Sequence, residues 1–366
     1  MTQPQPVPAR PEGAGVRVAV DAMGGDHGPS EVVPGALDHA RAHPEDRVIL
    51  VGDERVVRSI AGELPSNVSI VHASQVIGMD EHPALALREK KDSTIIVAVD
   101  LVKRGEADAV VTAGHTGAGM AAAVLRLGRL PGVDRPALAV QMITSGGPMV
   151  LLDIGANPDS TPENLVQYAR MGAIFAERVL GVPEPRVALL SIGEEKGKGD
   201  ARIQRATELL DATDLRFEGN VEGKDLTRQL ADVVVCDAVL GNVVIKFFEG
   251  LSGYIFDLWR GEFERSLRGR LAYLLLRPGV GRVRGIFDYE KVGGSPLLGV
   301  RGTVIITHGR ASRRMVTFAC EVAATTARTG VPALIAESLS SAARSRPGDA
   351  ATTTSPAPMS ASEEAS

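Results

Sequence analysis

A glycine-rich segment, Thr112-Ala-Gly-His-Thr-Gly-Ala-Gly119, carries residue types that could bind an anion. It follows an apolar run that predicts a strand over residues 107–111, and an alanine-rich helix is predicted just beyond it. A strand that turns through glycines into a helix leaves backbone N–H groups unpaired at the positive end of the helix dipole, which suits phosphate. The same pattern also fits a tight turn in which glycine only eases packing. Support therefore has to come from other loops.

Several other loops place polar residues directly after predicted strands. In parallel sheets ligands gather at the carboxyl ends of the strands, so we expect these loops to meet at one edge of a sheet. The residues are Asp21, Gly24 and Gly25 after strand 16–20, Asp153 and Asn157 after 149–152, Lys196 and Lys198 after 187–191, and Asn242 and Lys246 after 231–236.

The elements that must position these residues follow a strand, turn, helix order. Strands over 16–20, 47–51 and 68–72 alternate with helices, which predicts right-handed crossovers and a parallel sheet. Residues 83–104 are predicted to be mostly helix, and 137–142 and 149–152 to be paired strands. Hydrophobic residues make up 44% of the chain and aromatic residues only 4%, which favours strands sandwiched between helices. The predicted fold class is α/β with a mostly parallel sheet.

One segment departs from this pattern. Residues 248–284 show apolar residues at helical spacing and are predicted to form an amphipathic helical hairpin. Between Arg260 and Arg284 there are seven arginines against two glutamates, so the hairpin could lie on an anionic membrane surface. A dimer arm or a cover for the core fits equally well, and these possibilities can coexist. The candidate membrane contacts are Leu258, Trp259, Phe263, Leu267 and Leu271.

Composition excludes several classes of protein. The net charge of -5 argues against nucleic-acid binding. With only Cys236 and Cys320, a disulfide framework or a four-cysteine zinc site is implausible, and a reducing cytoplasm is favoured. The N-terminus lacks the apolar core of a signal peptide, and no run approaches the roughly eighteen apolar residues of a membrane span. Residues 1–15 and 341–366 are predicted to be disordered, leaving an α/β domain over 16–340.

Two further features have a structural and a functional interpretation. The basic cluster Arg88, Lys90 and Lys91 is typical of a solvated face, although it could contact phosphate or an acidic partner. Cys236, at the end of a valine-rich strand, is interpreted as a buried apolar residue rather than a nucleophile.

Six segments of the chain form an ordered set of motifs. They are Val-Asp-Ala-Met-Gly-Gly-Asp at 20–26, Ala-Gly-His-Thr-Gly-Ala at 113–118, Leu-Asp-Ile-Gly-Ala-Asn at 152–157, Ile-Gly-Glu-Glu-Lys-Gly at 192–197, Gly-Asn-Val-Val-Ile-Lys at 241–246 and Gly-Gly-Ser-Pro-Leu-Leu-Gly at 293–299. Taken in this order, they resemble the bacterial phosphate acyltransferases, and the resemblance covers nearly all of residues 16–328. Members of that family convert acyl-[acyl carrier protein] and phosphate into acyl-phosphate for phospholipid synthesis.

The resemblance implies a three-layer Rossmann-like fold, related to the isocitrate and isopropylmalate dehydrogenases, with a protruding hairpin. It implies a cytoplasmic homodimer that associates peripherally with membranes and needs no cofactor or metal. The implied partners are acyl carrier protein, inorganic phosphate and the membrane-embedded glycerol-3-phosphate acyltransferase that uses acyl-phosphate. The chain departs from the family pattern at His115, where asparagine is usual, and at Ala238-Val239, where Gly-Phe is usual.

Acyl transfer from a thioester to phosphate needs no enzyme nucleophile, which fits the missing Ser/His/Asp and Cys/His signatures. The site has to orient phosphate and stabilise the carbonyl oxyanion. Asn157 and Asn242 are the candidate oxyanion donors, and Asp21 or Asp153 would order lysines and waters. The candidate phosphate or substrate contacts are Gly24, Gly25, Gly114, His115, Thr116, Gly117, Asp153, Lys196, Lys198 and Lys246.

Three alternative functions remain at this point. A dehydrogenase of the same fold is disfavoured because no G-x-G-x-x-G fingerprint follows the first strand. A phosphotransacetylase-like enzyme would use acyl-CoA in place of the acyl carrier protein. A non-catalytic scaffold at the membrane surface would bind vesicles without forming acyl-phosphate.

Overall fold

The computed structural model describes residues 15–144, 146–286 and 289–344. The strands in these ranges are β1 (Arg17–Asp21), β2 (Arg47–Gly52), β3 (Val68–His72), β4 (Ala109–Thr112), β5 (Ala137–Thr144), β6 (Gly147–Leu152), β7 (Val187–Leu190), β8 (Phe217–Val221), β9 (Val233–Val235), β10 (Ser295–Leu298) and β11 (Thr303–Ile306). The helices are α1 (Pro29–Ala42), α2 (Glu54–Ala61), α3 (Pro83–Glu89), α4 (Thr94–Lys103), α5 (Thr116–Arg126), α6 (Pro162–Leu180), α7 (Ala201–Asp211), α8 (Ala238–Glu264), α9 (Leu267–Ile286), α10 (Arg313–Arg328) and α11 (Val331–Arg344).

All of these strands join one sheet, in the order β3-β2-β1-β4-β11-β10-β5-β6-β9-β7-β8. β3, β2, β1, β4 and β11 are parallel to one another, as are β6, β9, β7 and β8. Between the two groups, β10 is antiparallel to both β11 and β5, and β5 is antiparallel to β6. The two parallel groups therefore run in opposite directions.

This topology corrects the prediction that the polar loops share one edge of the sheet. The loops after β1, β4 and β11 lie at one edge, and those after β6, β7 and β9 lie at the opposite edge. The reason is the antiparallel pairing in the middle of the sheet, which reverses the second half of the strands. The two edges are called the Thr112 edge and the Asp153 edge below.

Helices cover both faces of the sheet, which confirms the predicted three-layer α/β fold. Alternate strand residues point to opposite faces. Ala19, Val110 and Leu151 pack in one core with α3, α4 and α5, whereas Val20 and Leu152 belong to the cores beneath α1 and α10 and beneath α6 and α11. Val, Leu, Ile and Ala fill the layers between the sheet and the helices, which agrees with the low aromatic content of the chain.

Several predicted boundaries differ from the structure. The helix predicted over 83–104 is interrupted between α3 and α4, because Asp92 and Thr94 exchange backbone hydrogen bonds with Gln75. β8 and β10 were not predicted as strands. α11 continues to residue 344, beyond the predicted start of the disordered tail. The rest of that tail and residues 1–14 lie outside the described residues.

α8 connects the two edges of the sheet. It begins beside Asp153, where the position of a Cβ atom on Gly241 would lie only 2.0 Å from the Asp153 carbonyl oxygen. Two turns later, its Lys246 reaches His308 in the loop after β11 at the Thr112 edge. At position 238, where the family resemblance implies glycine, this chain has a buried alanine, and a close backbone approach of this helix is found at Gly241.

The second half of α8 and all of α9 form the predicted hairpin, with α8 starting ten residues before the predicted boundary at 248. Most of its large apolar side chains are exposed; Leu267, for example, is 82% exposed. By length and composition alone, α8 could also cross a membrane, contrary to the expectation that no segment could. Its first turns lie against the sheet, as the contacts of Gly241 show.

We predict that Gly241→Ala destabilises the fold. The added methyl group would overlap the Asp153 carbonyl oxygen, and overpacking of this kind costs about 1–3 kcal/mol. The free energy of unfolding, measured by urea titration, should fall by at least this amount.

Gly250→Ala is the matched control, because Gly250 lies in the same helix and no atom would lie within 4 Å of its new Cβ. That variant should gain up to about 1 kcal/mol from helix propensity. Equal effects of the two substitutions would show that α8 does not pack on Asp153 as described.

Candidate active site

A cavity of about 580 Å³ lies between α8 and the face of the sheet formed by β5, β10 and β11. Thr116, Thr307 and His308 line it at the Thr112 edge, and Gly155 and Ala238 line it at the Asp153 edge. Loops at both edges of the sheet therefore line one common cavity, although they do not share one edge as predicted. Its wall is mostly apolar, with Leu138, Val140, Met142, Ile154, Val243, Ile245, Phe248, Val292 and Ile306 among the lining residues.

At the Thr112 edge, the loops after β1 and β4 interlock. The Thr112 hydroxyl donates to Asp21 Oδ2 at 2.8 Å and accepts the N–H of Gly114 at 3.0 Å. A Cβ on Gly24 would lie 2.7 Å from the Gly114 nitrogen, so only glycine allows the two loops to come this close. Gly25 contacts the carbonyl of Gly309 in the loop after β11 in the same way. Gly24, Gly25 and Gly114 thus hold three loops together.

Asp21 is buried beneath these loops and is only 2% exposed. Burial raises the pKa of its carboxyl group, against the opposing effect of hydrogen bonds from Thr94 and Thr112. Asp21 does not line the cavity. Its position suits an organising role in the loop rather than contact with substrate.

His115 caps helix α5. Its Nδ1 accepts the N–H groups of Gly117 at 3.1 Å and Ala118 at 3.4 Å. The prediction that several N–H groups are free at this helix end is therefore wrong for these two, because the imidazole satisfies them. Asparagine, the usual family residue, is among the best N-cap residues, so His115 does the same work with a different side chain. Thr116, exposed in the first turn, lines the cavity.

At the other edge, Asp153 organises the loop that follows β6. Its carboxylate accepts N–H groups from Leu138, Ala156 and Asn157 at 2.8–3.0 Å. The residue is fully buried, and burial raises the pKa of the carboxyl group against the effect of these hydrogen bonds. The carboxylate thus accepts hydrogen bonds from backbone N–H groups and does not pair with a lysine of the described chain.

Asn157 does not fit the role of oxyanion donor. Its Nδ2 group has two hydrogens, and it donates to the Pro136 carbonyl at 2.5 Å and to Asp153 Oδ2 at 3.1 Å. Both hydrogens are therefore used inside the protein, and Asn157 is absent from the cavity lining. Asn157 closes the loop after β6.

Asn242 does line the cavity. Asp237 caps α8 by accepting the N–H groups of Val239 and Leu240, each at 3.0 Å, and its other oxygen accepts from Arg202 at 2.8 Å. This fixed helix start places Asn242 at the beginning of the second turn, where its exposed side chain lines the cavity. Within the described residues its amide has no hydrogen-bond partner, so it is free to bind a substrate.

Lys246 follows Asn242 one helical turn later and lines the same cavity. Its Nζ lies 2.9 Å from Glu249 Oε2 and 3.2 Å from His308 Nε2. Burial, and then the Lys246 ammonium, lower the pKa of His308. His308 was not predicted as a site residue, although a polar residue directly after a strand was the signal used for Asp21 and Asp153.

Lys196 and Lys198 lie in the loop after β7 at the Asp153 edge, so the structure does not bring them to Thr116. The ammonium of Lys196 pairs with Asp211 at 2.9 Å, and neither lysine lines the cavity. The structure therefore does not support the hypothesis that they help Gly114 to Gly117 hold phosphate. Lys198 is exposed and has no ion-pair partner among the described residues.

Cys236 is fully buried, as expected, and does not line the cavity. Its Sγ donates to the Asp153 carbonyl at 3.5 Å. Burial, followed by the carboxylates of Asp237 and Asp153, raises the pKa of the thiol well above its usual value. A thiol in this state is a poor nucleophile.

The five candidate membrane contacts separate into two groups. Leu258, Leu267 and Leu271 are at least half exposed on the outside of the hairpin. Trp259 and Phe263 line a second cavity, of about 950 Å³, between α8 and α9. In the basic cluster, Lys90 pairs with Glu81 at 2.5 Å, which supports the structural interpretation of that cluster.

Among the residues that the structure describes, three groups of side chains outside the cavity have ligand atoms close enough together to share a metal ion, within 4.8 Å of one another. Exposed acidic groups often cluster in this way without a metal. The groups are His39, His43 and Glu321; His43, Glu45 and Asp46; and Glu194, Glu222 and Asp225.

We predict that His115→Asn keeps the stability of the protein whereas His115→Ala lowers it. Asparagine can accept the same two N–H groups, but alanine leaves them unpaired, at a cost of about 0.5–2 kcal/mol. The free energies of unfolding of the three proteins, compared in urea, test this. If the asparagine variant were as unstable as the alanine variant, His115 would not act as a cap.

Solved structures with a similar fold include two acyl-transferring proteins. EutD phosphotransacetylase from Staphylococcus aureus has a TM-score of 0.57 at 16% identity, covering 86% of this chain and 95% of its own. A branched-chain phosphotransacylase from Enterococcus faecalis V583 has a TM-score of 0.52 at 16% identity, covering 85% of this chain and 99% of its own. At this identity the likeness concerns the fold.

Sequence comparison identifies much nearer relatives. The family described as "Fatty acid synthesis protein" matches residues 16–334. The phosphate acyltransferase of Desulfitobacterium hafniense (strain Y51) is 49% identical over 311 residues, which are 84% of this chain and 92% of the relative. That of Myxococcus xanthus (strain DK1622) is 44% identical over 334 residues, which are 90% of this chain and 95% of the relative. The chain therefore belongs to this family, whose relatives named here are phosphate acyltransferases.

Proposed function

We propose that the protein transfers a fatty acyl group from acyl-[acyl carrier protein] to inorganic phosphate, giving the acyl-phosphate used in phospholipid synthesis. The observation that carries this proposal is one cavity with an apolar body and a polar, cationic end. The apolar wall between α8 and the sheet suits a hydrocarbon chain. The polar end, with Thr116, Asn242 and Lys246, suits an anion.

The reaction can proceed by direct attack. A phosphate oxygen bonds to the thioester carbon, the carbon–sulfur bond breaks, and the hydrogen of hydrogen phosphate ends on the thiol. The protein has to align the two substrates and stabilise the carbonyl oxygen as negative charge develops on it. Asn242 is the remaining candidate oxyanion donor, because its amide faces the cavity while that of Asn157 is used internally.

The other candidate functions fit these features less well. An acetyl group would leave most of an apolar cavity of about 580 Å³ unfilled, so a fatty chain suits it better than the substrate of a phosphotransacetylase. A non-catalytic scaffold does not require a free amide and an ammonium on one wall of an apolar cavity. Attack through Cys236 is disfavoured by the burial of its thiol.

The hairpin formed by residues 248–284 is a candidate contact for an anionic membrane surface. The exposed leucines 258, 267 and 271 lie on a segment rich in arginine, the combination found in helices that lie on bilayers. Attachment of this kind would bring a cytoplasmic enzyme beside the membrane-embedded glycerol-3-phosphate acyltransferase that consumes acyl-phosphate. The family resemblance also supports a homodimer.

Lys198 is a candidate contact for the acyl donor. Its exposed ammonium lies in the loop after β7, at the same edge of the sheet as the Gly155 end of the cavity. An exposed cation at this position suits the acidic or phosphorylated parts of an acyl carrier. Lys196, held by Asp211, is the natural comparison.

The direct test of the function is incubation of the protein with acyl-[acyl carrier protein] and inorganic phosphate, with hydroxylamine to trap acyl-phosphate. We expect the protein to form acyl hydroxamate in a phosphate-dependent manner, above the background that hydroxylamine gives by reacting directly with the thioester. Acyl-CoA should react more slowly than the carrier-protein thioester. Vesicle binding without any acyl-phosphate would favour the scaffold and contradict the proposal.

In the same assay, Lys198→Ala should lower the rate at saturating phosphate more than Lys196→Ala does. The reason is that the Lys198 ammonium has no ion-pair partner in the described part of the chain, whereas Lys196 is paired with Asp211. Titration of the acyl carrier substrate should show a higher KM for the Lys198 variant. Equal rates for both variants would exclude Lys198 as an acyl-donor contact.

A further inference from the structure

At the polar end of the cavity, two hydrogen-bond donors face each other. His308 Nδ1 accepts the N–H of Arg310 at 3.2 Å, so the neutral ring carries its hydrogen on Nε2. That Nε2 lies 3.2 Å from Lys246 Nζ, which can only donate while it is charged. Two donors cannot bond to each other, but an oxygen anion placed against both can accept from both.

A third donor lies beside this pair. Thr307 is only 3% exposed and lines the cavity, and its hydroxyl has no hydrogen-bond partner within the part of the chain that the structure describes. An unpaired buried hydroxyl is unfavourable. A ligand oxygen that reached this hydroxyl from the cavity would satisfy it. This observation is independent of the contact between His308 and Lys246.

Glu249 adds an acceptor to the same wall. Its Oε2 lies 2.9 Å from Lys246 Nζ, and the residue lines the cavity. A carboxylate beside an anion site repels an ion that has only acceptors, but it can accept a hydrogen bond from an ion that carries a hydrogen. Hydrogen phosphate carries such a hydrogen at neutral pH, and sulfate does not.

We propose that His308, Lys246 and Thr307 bind the oxygens of the attacking phosphate, and that Glu249 accepts its hydrogen and so selects hydrogen phosphate over sulfate. This inference rests on the proposed function and deepens it by naming the residues that hold phosphate and set its specificity. Thr116, in the first turn of α5, lines the same end of the cavity. The site replaces Lys196 and Lys198 as the phosphate contact.

The charged groups around His308 fit this role. Lys246 and Glu249 face it from α8, Arg310 follows it in its own loop, and Asp26 faces it from the loop after β1. Burial and the Lys246 ammonium lower the pKa of His308, which keeps the ring neutral and its tautomer fixed. The ring can then donate through Nε2 across the neutral pH range.

The first test is the phosphate dependence of acyl-phosphate formation by His308 variants. His308→Ala should raise the KM for phosphate about tenfold or more, as expected for a lost hydrogen bond to a charged group. His308→Gln, which keeps an N–H donor at similar reach, should recover most of this loss. An unchanged KM with a lower kcat would overturn the proposal and assign His308 to the carbonyl oxygen.

The second test uses sulfate as the probe. Wild-type protein should be inhibited only weakly by sulfate, whereas Glu249→Gln, which removes the repelling charge, should show competitive inhibition against phosphate. Glu262→Gln is the matched control, because Glu262 lies on the same helix and forms an exposed ion pair with Arg265, the residue that follows the helix. It should behave like wild type. Equal sulfate inhibition of wild type and Glu249→Gln would overturn the role of Glu249.

Binding measured without turnover separates this inference from the proposed function. Thermal unfolding of wild type should shift upward with phosphate and much less with sulfate, and the phosphate shift should be lost in His308→Ala. If these shifts appear but no acyl-phosphate forms, the proposed function fails and the anion site stands. If acyl-phosphate forms but His308→Ala retains the wild-type phosphate shift, the anion site fails and the function stands.

Discussion

The site depends on how α8 is held across a sheet whose two halves run in opposite directions. At one edge, the lack of a side chain on Gly241 lets the helix touch the Asp153 carbonyl, and Asp237 with Arg202 fixes the first turn. At the other edge, Lys246 meets His308. The position of α8 therefore sets the shape of the cavity, because the inner face of this helix forms one wall and the sheet forms the other.

In this arrangement, the residues that hold the loops in place differ from the residues that line the cavity. Buried carboxylates organise both ends: Asp21 holds the loops after β1 and β4, and Asp153 holds the loop after β6. Both are saturated by hydrogen bonds from the protein and neither touches the cavity. The polar side chains that line the cavity include those of Thr116, Asn242, Lys246 and His308. Rigid support and chemical contact are thus assigned to different residues, which is how preorganised sites are usually built.

Sequence reasoning found most strands of the parallel halves, since short apolar runs ending in glycine and aspartate are a local signal. It also named three cavity residues, Thr116, Asn242 and Lys246. It failed on the direction of the second half of the sheet, because antiparallel pairing of β10 with β5 and β11 is a non-local property. The error placed Lys196 and Lys198 beside the wrong loop.

Two other misses have local causes. β10 was overlooked because Pro296 and the glycines at both ends of the segment are typical of a loop. Both residues chosen as oxyanion donors, Asn157 and Asn242, carry an amide that can donate a hydrogen bond, but the hydrogen bonds of Asn157 to Pro136 and Asp153 cannot be read from spacing. The role of His115 has a local cause instead. A helix that starts at Thr116 needs a cap at position 115, and the histidine side chain provides it.

A crystal structure of the protein with inorganic phosphate and an unreactive thioether analogue of the acyl donor would show where the two substrates meet. We expect the hydrocarbon chain between α8 and the sheet, and phosphate within hydrogen-bond distance of Lys246 Nζ at the Thr112 edge. Phosphate bound in the loop of residues 192–199, at the opposite edge, with the cavity beneath α8 empty, would contradict this arrangement.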